Sequence, residues 1–412
     1  MTTGPGGLGE PTERVPIRWV LAFSLATVGT FVGWYGPLQI LLAKQADAFS
    51  PGSKEAVLAV AAGIGALFSM LANPIWGALS DRTASRFGRR IPWVAVGTLG
   101  GVVGLLLMAA AQDVVGMIAG WCLVQTALNA PFAALSAAIP DQVPQQQRGT
   151  AGGYFGVAQT IGIMAGTGLA VAGGGIVGGY LACAVFVLLA PVPYVLLRRD
   201  RVLPAELRPP WSWRAFFAGF WLDPTHHRDF AWAWLTRFLI NLSNSITLLY
   251  LLFYLQDAVG LPDPGGGVLV LTVIDAVTVL ISVMVAGIWS DRIANRRAFV
   301  AWSGVIMAVA GFLLAGWQTW TGAVVAALVL GIGFGAYTSV DFALITQVLP
   351  EALDRGKDLG VINIANALPQ VLAPVVAAPV VAHLGGYPVL YTAASVIALL
   401  GGVLVYRVKS VR

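Results

Sequence analysis

The sequence predicts an all-α integral membrane protein in which twelve transmembrane helices form two parallel halves of six helices each. Three observations lead to this prediction: the composition, the positions of the basic residues and an internal repeat. Of the 412 residues, 58% are hydrophobic and 10% are charged, and the mean hydropathy is +0.80. One globular core could not bury so much apolar surface, so the chain is expected to lie in a lipid bilayer.

Twelve apolar stretches are long enough to cross a bilayer, which takes about 20 helical residues. The predicted spans are 17–43, 56–79, 91–111, 114–139, 150–172, 175–197, 230–256, 266–289, 298–317, 320–348, 359–382 and 386–406. They define an N-terminal bundle of six helices at 17–197 and a C-terminal bundle of six helices at 230–406. A cytoplasmic central loop at 198–229 connects the two bundles, and a short cytoplasmic tail follows at 407–412.

The segments outside the spans have distinct compositions. Residues 1–16 are rich in Gly and Pro and contain few residues that could form a core, so a disordered cytoplasmic tail is predicted. The central loop contains the aromatic stretch WSWRAFFAGFWL at 211–222. This stretch favours a helix lying in the headgroup region, and an irregular linker with aromatics at the interface is the alternative.

The basic residues indicate the orientation of the chain. With the N-terminus inside, 21 of the 24 Lys and Arg residues fall in cytoplasmic segments. The outer loops contain only Lys44 and Lys54, and Arg237 lies within a span. Short cytoplasmic loops carry an excess of basic residues, so a multi-pass protein of the cell membrane with both termini cytoplasmic is predicted. The net charge of +5 is then a topology signal, and no nucleic-acid partner is expected.

An internal repeat relates the two bundles. GALSDR at 77–82 recurs as GIWSDR at 287–292, and each copy lies between an even span and the next odd one. The Arg-Gly pair at 148–149 likewise recurs at 355–356, before span eleven. Two parallel halves of six spans explain both repeated motifs. The substrate site is expected at the interface of the halves, near the middle of the bilayer.

The loop after span two carries a recognisable pattern. Its residues are Gly77, Asp81, Arg82, Gly88, Arg89 and Arg90. The pattern resembles the loop 2/3 signature of the major facilitator superfamily, and a weaker copy, formed by Gly287, Asp291 and Arg292, falls where that superfamily keeps one. The resemblance implies the major facilitator fold and a role for these residues as a conformational latch on the outward-open state. A passive topology anchor is the alternative interpretation.

Two further stretches resemble one branch of the superfamily. SDRTASRFGRR followed by Ile-Pro-Trp, and IPDQVPQQQRG after span four, are similar to the glycoside-pentoside-hexuronide:cation symporters and the sucrose:proton symporters. This resemblance implies alternating-access transport of a sugar together with a cation.

Ionisable residues inside spans are costly and therefore mark candidate functional sites. Arg237, Asp275 and Asp341 are the candidates for proton coupling. A carboxylate that is alternately desolvated and paired can bind and release a proton near neutrality. Asp275 with Arg237 is the expected coupling pair, and a purely structural ion pair is the alternative. Asp341 lies nearer the cytoplasmic end, which favours a gate or a helix-packing partner.

Spans one, two and four contain no Asp or Glu, which departs from the sugar-symporter pattern. Because Na⁺ needs several hard oxygen ligands, a sodium site is not expected and protons are the expected coupling ion. The His residues have no metal-ligand spacing, so neither a metal site nor any other cofactor is expected.

Neutral polar and aromatic residues within the spans are the candidates for substrate binding. They are Thr30, Trp34, Tyr35, Gln39, Gln125, Asn129, Gln159, Asn241, Asn244, Tyr337, Asn363, Asn366 and Gln370. Amides donate to and accept from hydroxyl groups, and aromatic rings stack on sugar faces, so a hydroxylated or amphipathic solute is indicated. Interhelical hydrogen bonding is the alternative use of each residue.

No catalytic motif is present, so an enzyme is not predicted. Three functions stay open: a proton-coupled importer of a sugar or similar polar solute, a proton-antiport exporter of amphipathic compounds, and a non-transporting membrane sensor. The expected partners are a small-molecule solute, protons and the lipid bilayer, and the chain is expected to be a monomer.

Overall fold

The computed structural model of the protein describes residues 11–144, 147–200, 202–203, 228–293, 296–347 and 355–409. The predicted interfacial helix at 211–222 lies outside these residues. The side chains of Gly287, Asp291, Arg292 and Asn363 also lie outside the described part, although their backbone is helical.

The N-terminal part of the chain forms eight helices. They are α1 (Ile17–Gly36), α2 (Leu42–Phe49), α3 (Lys54–Asp81), α4 (Ile91–Ala110), α5 (Val114–Gln142), α6 (Arg148–Ala172), α7 (Ile176–Leu189) and α8 (Val192–Leu197). A π-helical turn at Pro37–Leu41 joins α1 to α2, because proline at this position has no N–H to continue the α-helical ladder.

The C-terminal part forms seven more helices. They are α9 (Arg228–Leu249), α10 (Leu251–Asp257), α11 (Pro264–Ile293), α12 (Arg296–Gly316), α13 (Trp320–Gln347), α14 (Arg355–His383) and α15 (Gly386–Leu404). A 3₁₀ turn at Val405–Arg407 follows α15.

The number of candidate membrane crossings matches the prediction. Among the described residues, 11 helical segments are long and apolar enough to span a membrane, and α9 with α10 forms a further candidate bent by 43°. Counting this bent pair as one span makes 12, so the predicted all-α membrane architecture is confirmed.

The helices pack into two compact units. The first contains the chain up to residue 51 and the stretch from residue 67 to the central loop, and the second contains residues 52–66 and everything beyond the central loop. The helix α3 therefore contributes its beginning to the second unit and its remainder to the first.

Small residues set the helix packing in the first unit. The helix α4 lies against α5, and a Cβ built on Gly97 would lie 2.6 Å from the carbonyl oxygen of Ala127. A Cβ on Gly104 would lie 2.9 Å from the backbone nitrogen of Val124. Without side chains at these positions the two backbones approach closely, and close van der Waals packing is what drives helix association in lipid.

Small residues also allow close helix packing in the second unit. The helix α12 packs against α13 and α15, and a Cβ on Gly304 would lie 2.7 Å from the carbonyl oxygen of Ala398. The Ser243 hydroxyl on α9 donates a 2.8 Å hydrogen bond to the Ala394 carbonyl on α15. Glycine and serine thus let these helices approach within hydrogen-bonding distance.

The last residues of the segment 1–16, which was predicted to be a disordered tail, are held by hydrogen bonds. Val15 is 4% exposed, its N–H donates to the Gln147 side chain at 2.9 Å, and its carbonyl accepts from the same amide at 3.3 Å. The ordered chain therefore begins before α1, because an amide distant in the sequence satisfies both backbone groups. Residues 1–10 lie outside the described residues.

Candidate functional site

The second unit contains a buried ion pair that is hydrogen-bonded to further polar side chains. Arg237 on α9 forms a salt bridge with Asp341 on α13, through its Nη1 and the Asp341 Oδ2. The Arg237 Nε donates a 2.8 Å hydrogen bond to the Asn366 Oδ1 on α14. Side chains of three helices, α9, α13 and α14, thus meet at one guanidinium.

Two further residues complete this group. The Tyr337 hydroxyl, one turn before Asp341 on α13, donates to the Asp341 Oδ1 at 2.6 Å. The Asn241 amide donates to the Asn366 Oδ1 at 3.4 Å and to the Arg237 carbonyl at 2.8 Å. These five residues are called the arginine–aspartate cluster below. All five were predicted as substrate-binding or coupling residues because polar groups inside spans are rare, and for Asp341 a role as a gate or a helix-packing partner was favoured.

The cluster is shielded from the surroundings. The side chains of Arg237 and Asp341 are each 12% exposed. A buried charge is tolerated when a counter-charge and hydrogen bonds replace its water, and both oxygens of Asp341 have such partners. Protonation or substitution of the Asp341 carboxylate would therefore remove the counter-charge of the Arg237 guanidinium.

The expected pairing of Arg237 with Asp275 is wrong. Asp275 lies on α11, and its Oδ1 is buried without a hydrogen-bond partner among the described residues. Gly331 on α13 lies against it, and a Cβ at this glycine would come within 2.8 Å of the Asp275 carbonyl oxygen and 3.3 Å of that Oδ1. Helical spacing within α11 could not show that α11 packs on α13 at this residue.

The aromatic candidates in the first unit pack together. The Trp34 ring lies 5.6 Å from the Phe31 ring and 5.5 Å from the Phe132 ring, and Tyr35 stacks on Phe31 at 5.9 Å. The Trp34 Nε1 is buried and has no hydrogen-bond partner within the described part of the chain. An indole N–H in such a place normally finds an acceptor, so Trp34 stays a strong candidate to donate to a solute.

Asn129 forms the polar centre of the first unit. Its Nδ2 donates to Ser69 Oγ at 2.7 Å and to the Gln125 carbonyl at 2.6 Å, and its Oδ1 accepts from Asn73 Nδ2 at 3.0 Å. These bonds hold α3 and α5 together, which is the interhelical role given as the alternative. Ser69 and Asn73 were missed, although their i, i+4 spacing on an apolar span was a usable signal.

The remaining candidates differ in their surroundings. The Thr30 hydroxyl is buried and donates to the Ala26 carbonyl of its own helix at 3.1 Å. Gln39, Gln159 and Asn244 are partly buried, and Gln370 is exposed. Substrate contact by these residues stays a prediction. No group of three or more His, Cys, Asp or Glu side chains able to hold a metal ion occurs among the residues that the structure describes.

The loop between α3 and α4 contains a second charged network. Arg90 Nη2 contacts Asp81 Oδ1 at 2.6 Å, and Arg90 Nε contacts Asp141 Oδ2 at 2.7 Å. Arg89 forms a bidentate pair with the same Asp141 carboxylate. Asp81, Arg89 and Arg90 all belong to the loop signature identified in the sequence. The central role of Asp141 was missed, because a carboxylate at the end of α5 resembles a solvated loop residue.

Arg90 keeps its charge despite its burial. Burial by itself lowers the pKa of this guanidinium, but the carboxylates of Asp81 and Asp141 outweigh that effect and the pKa is raised. Arg90 also donates to the Ser80 hydroxyl. The network therefore fastens the end of α3 and the end of α5 to the beginning of α4.

Asp200, at the start of the central loop, contacts the beginning of α4 next to this network. Its Oδ2 accepts from the backbone N–H groups of Arg90 at 2.5 Å and Ile91 at 2.9 Å, which caps α4. Gly88 has a φ of +95°, and a Cβ there would overlap with the Asp200 side chain. The glycine of the signature is thus required both by its backbone conformation and by the capping side chain.

An ion pair of the second unit was not predicted. Lys54 Nζ lies 2.8 Å from Asp257 Oδ1, and the Tyr387 hydroxyl donates to Asp257 Oδ2 at 2.9 Å. The three residues come from α3, α10 and α15. Lys54 was noted only as an outer-loop residue, because nothing in its local sequence identifies a partner 203 positions away.

Comparison with known proteins adds the family context. The sequence profile of the Major Facilitator Superfamily matches residues 20–283 and 269–412. An uncharacterized symporter of Synechocystis sp. is 49% identical over 49 residues, which is 12% of this chain and 8% of that protein. The proton-associated sugar transporter A of Mus musculus is 39% identical over 66 residues, which is 16% of this chain and 8% of that protein. This chain therefore matches less than a tenth of the length of either relative.

Solved structures resemble the whole chain. A POT family transporter in complex with a thioalcohol-conjugated peptide has a TM-score of 0.74 at 12% identity, covering 94% of this chain and 95% of that one. The nucleoside transporter NupG has a TM-score of 0.71 at 13% identity, covering 95% and 100%. The human organic anion transporter MFSD10 has a TM-score of 0.67 at 17% identity, covering 94% and 99%. At these identities the likeness shows the fold alone, and it confirms the predicted fold class.

Proposed function

Because the chain belongs to the Major Facilitator Superfamily, whose members are transporters, we propose that it is a secondary active transporter that imports a sugar, glycoside or similar polar solute together with protons. It exposes its binding site to one side of the membrane at a time. The observation that carries this proposal is the arginine–aspartate cluster, an ion pair with three hydrogen-bonding side chains inside apolar helices.

The cluster has the chemistry that coupling requires. Protonation of Asp341 would neutralise the partner of Arg237 and free the guanidinium, whose donors match hydroxyl or carbonyl oxygens of a solute. Asn366 accepts from both the guanidinium and Asn241, so a solute oxygen that replaces the Asn366 amide as acceptor contacts the charge directly. Proton binding and solute binding are thereby linked through one residue.

Asp275 is proposed as a second proton-binding group. A buried charged carboxylate with an unsatisfied oxygen is costly, and a proton on that carboxylate removes the cost. Gly331 on α13 packs closely against α11 beside this carboxylate, and a Cβ there would lie 2.8 Å from the Asp275 carbonyl oxygen and 3.3 Å from its Oδ1. A proton could therefore reside on Asp275 in one state of the transport cycle and on Asp341 in another.

Substrate class is supported by the remaining polar residues and by the relatives. Trp34 offers an indole N–H that has no hydrogen-bond partner among the described residues and lies beside aromatic rings, a combination that binds the polar edge and the apolar face of a sugar. The relatives named as a symporter and as a proton-associated sugar transporter match short segments of this chain. We therefore place the solute among hydroxylated, ring-shaped compounds.

The test uses proteoliposomes containing a pH indicator in their lumen. Purified protein is first screened by thermal unfolding against a sugar and glycoside library, because a ligand that binds the folded state stabilises it. Each stabilising compound is then added outside, and the expected result is acidification of the lumen as protons enter with the solute. Solute uptake that leaves the luminal pH unchanged, and that an imposed pH gradient does not alter, would contradict the proton coupling.

Two variants assign the coupling within this assay. We expect Asp341→Asn and Asp275→Asn each to reduce proton-coupled uptake by about tenfold or more, since a neutral amide cannot carry the proton. The matched control is Asp263→Asn, an exposed carboxylate that caps α11 by accepting from the Gly266 N–H at 3.0 Å. Asparagine caps helices equally well, so this variant should transport normally.

We also propose a cell-membrane location, cytoplasmic termini, a monomeric state and a latch function for the charged network around Arg90. Single cysteines introduced at Arg86 and at Arg296 in intact cells test the orientation. Both should resist a membrane-impermeant maleimide. Labelling of one but not the other would contradict two halves of the same orientation.

A further inference from the structure

The first unit contains an open cavity beside the charged network around Arg90, and among its lining residues only Asp200 contacts that network. Its volume is about 410 Å³, and its lining is formed by Arg86, Phe87, Arg198, Asp200 and Val202. These residues come from the loop after α3 and from the segment directly after α8. Both arginine side chains are exposed, so the cavity is accessible.

Two arginines share one aromatic ring in this cavity. The Cζ atoms of Arg86 and Arg198 lie 4.8 Å and 5.5 Å from the centroid of Phe87. The ring face attracts each cation, while the two positive charges repel each other. An arginine over a ring keeps its N–H donors in the guanidinium plane, where they match phosphate oxygens. The open side of the pair is therefore suited to bind an anion.

The carboxylate of the lining is turned towards the beginning of α4. There the Asp200 Oδ2 accepts from the N–H groups of Arg90 at 2.5 Å and Ile91 at 2.9 Å. Its charge is offset at this place by the positive end of the helix dipole. Its Oδ1 accepts from the Gln142 side chain at 3.3 Å, so both oxygens of this carboxylate have partners, and the two arginines supply the positive charge of the lining.

The surroundings of the cavity indicate a lipid. Arg198 has φ 46° and ψ 29°, a left-handed conformation that ends α8 and turns the chain here. Leu196, two residues earlier and on a candidate membrane span, is 69% exposed. An exposed apolar side chain of a candidate membrane span, two residues before an arginine of the cavity, matches a phospholipid, whose acyl chain and phosphate are adjacent. We propose that this cavity binds the phosphate of an anionic phospholipid headgroup.

The test measures lipid binding by native mass spectrometry of the full-length protein in detergent. Phosphatidylglycerol is titrated into wild type, into the double variant Arg86→Gln/Arg198→Gln, and into Arg407→Gln. The control arginine is also exposed and lies 5.7 Å from the Trp232 ring, so it is chemically matched, and it belongs to the second unit. We expect about tenfold weaker binding in the double variant alone, since charge-assisted hydrogen bonds are lost.

Two further arms separate the sources of phosphate and verify folding. Inorganic phosphate is tested by thermal unfolding, and phosphatidylcholine is titrated as a neutral lipid. Equal phosphatidylglycerol binding by all three proteins overturns the proposal, as does stabilisation by inorganic phosphate without lipid binding. The variant Arg86→Lys/Arg198→Lys keeps the charge. If it binds more tightly than the glutamine variant but less tightly than wild type, the arginine geometry is supported.

Discussion

Substituting Asp341→Asn removes the carboxylate that faces Arg237 while preserving the shape of the side chain. Arg237 then keeps its 2.8 Å bond to Asn366, but it has no counter-charge and its side chain is only 12% exposed. Breaking a buried ion pair by removing one partner costs about 3–5 kcal/mol, because the remaining charge stays desolvated. We expect the free energy of unfolding of this variant to fall by that amount.

The companion variants separate the ion pair from its parts. Arg237→Gln leaves the Asp341 carboxylate with the Tyr337 hydroxyl at 2.6 Å, and it should also lose about 3 kcal/mol. The double variant contains two neutral amides and no orphaned charge, so it should lose less than the sum of the single losses. A coupling energy of about 2 kcal/mol or more is expected from the double-mutant cycle.

The assay is reversible unfolding by sodium dodecyl sulfate in mixed micelles, followed by the fluorescence of the 14 tryptophans. The control Asp263→Asn changes an exposed cap and should alter the free energy of unfolding by less than about 0.5 kcal/mol. A coupling energy below about 0.5 kcal/mol would refute the reasoning, because it would mean that the two charges are solvated.

Three further predictions use the same unfolding assay. Gly88→Ala should destabilise the protein by about 2 kcal/mol or more, since φ is +95° and the new methyl group would overlap with Asp200; an unchanged midpoint would contradict the cap. Asp141→Asn should cost about 3 kcal/mol because two buried arginines lose their shared counter-charge, and a surface-like loss under about 0.5 kcal/mol would argue against burial. Asp257→Asn should cost about 1 kcal/mol, since this carboxylate is 33% exposed; Lys54→Met should then cost a similar amount if the pair acts as a unit.

The arginine–aspartate cluster shows how far sequence reasoning reaches. Arg237, Asp275 and Asp341 could be identified because ionisable residues are rare in apolar spans. Such a side chain is costly in a bilayer whichever helices surround it. Helical spacing then placed Asn241 on the same helix face as Arg237. The choice of partner was wrong, because Asp341 and Asp275 lie on different helices and periodicity reports only the face within one helix.

The charged loop after α3 gives a second comparison. Its motif identified Asp81 and Arg90, and the structure pairs them at 2.6 Å. The motif could not identify Asp141 or Asp200, which come from the end of α5 and the start of the central loop. Sequence separation hides such residues, although they provide most of the acceptors for the loop.

The sequence by itself determined that this chain crosses a bilayer many times, where its spans lie and which ionisable groups they enclose. Hydrophobic length, basic loop residues and repeated motifs are local quantities, and the bilayer imposes the same cost on every helix that enters it. Only the tertiary structure decided that Arg237 pairs with Asp341, that Asp275 keeps one oxygen unpartnered among the described residues and that Asp200 caps α4. These pairings depend on which faces of two helices pack together. That packing depends on the small residues of both helices, so the sequence of one helix does not reveal it.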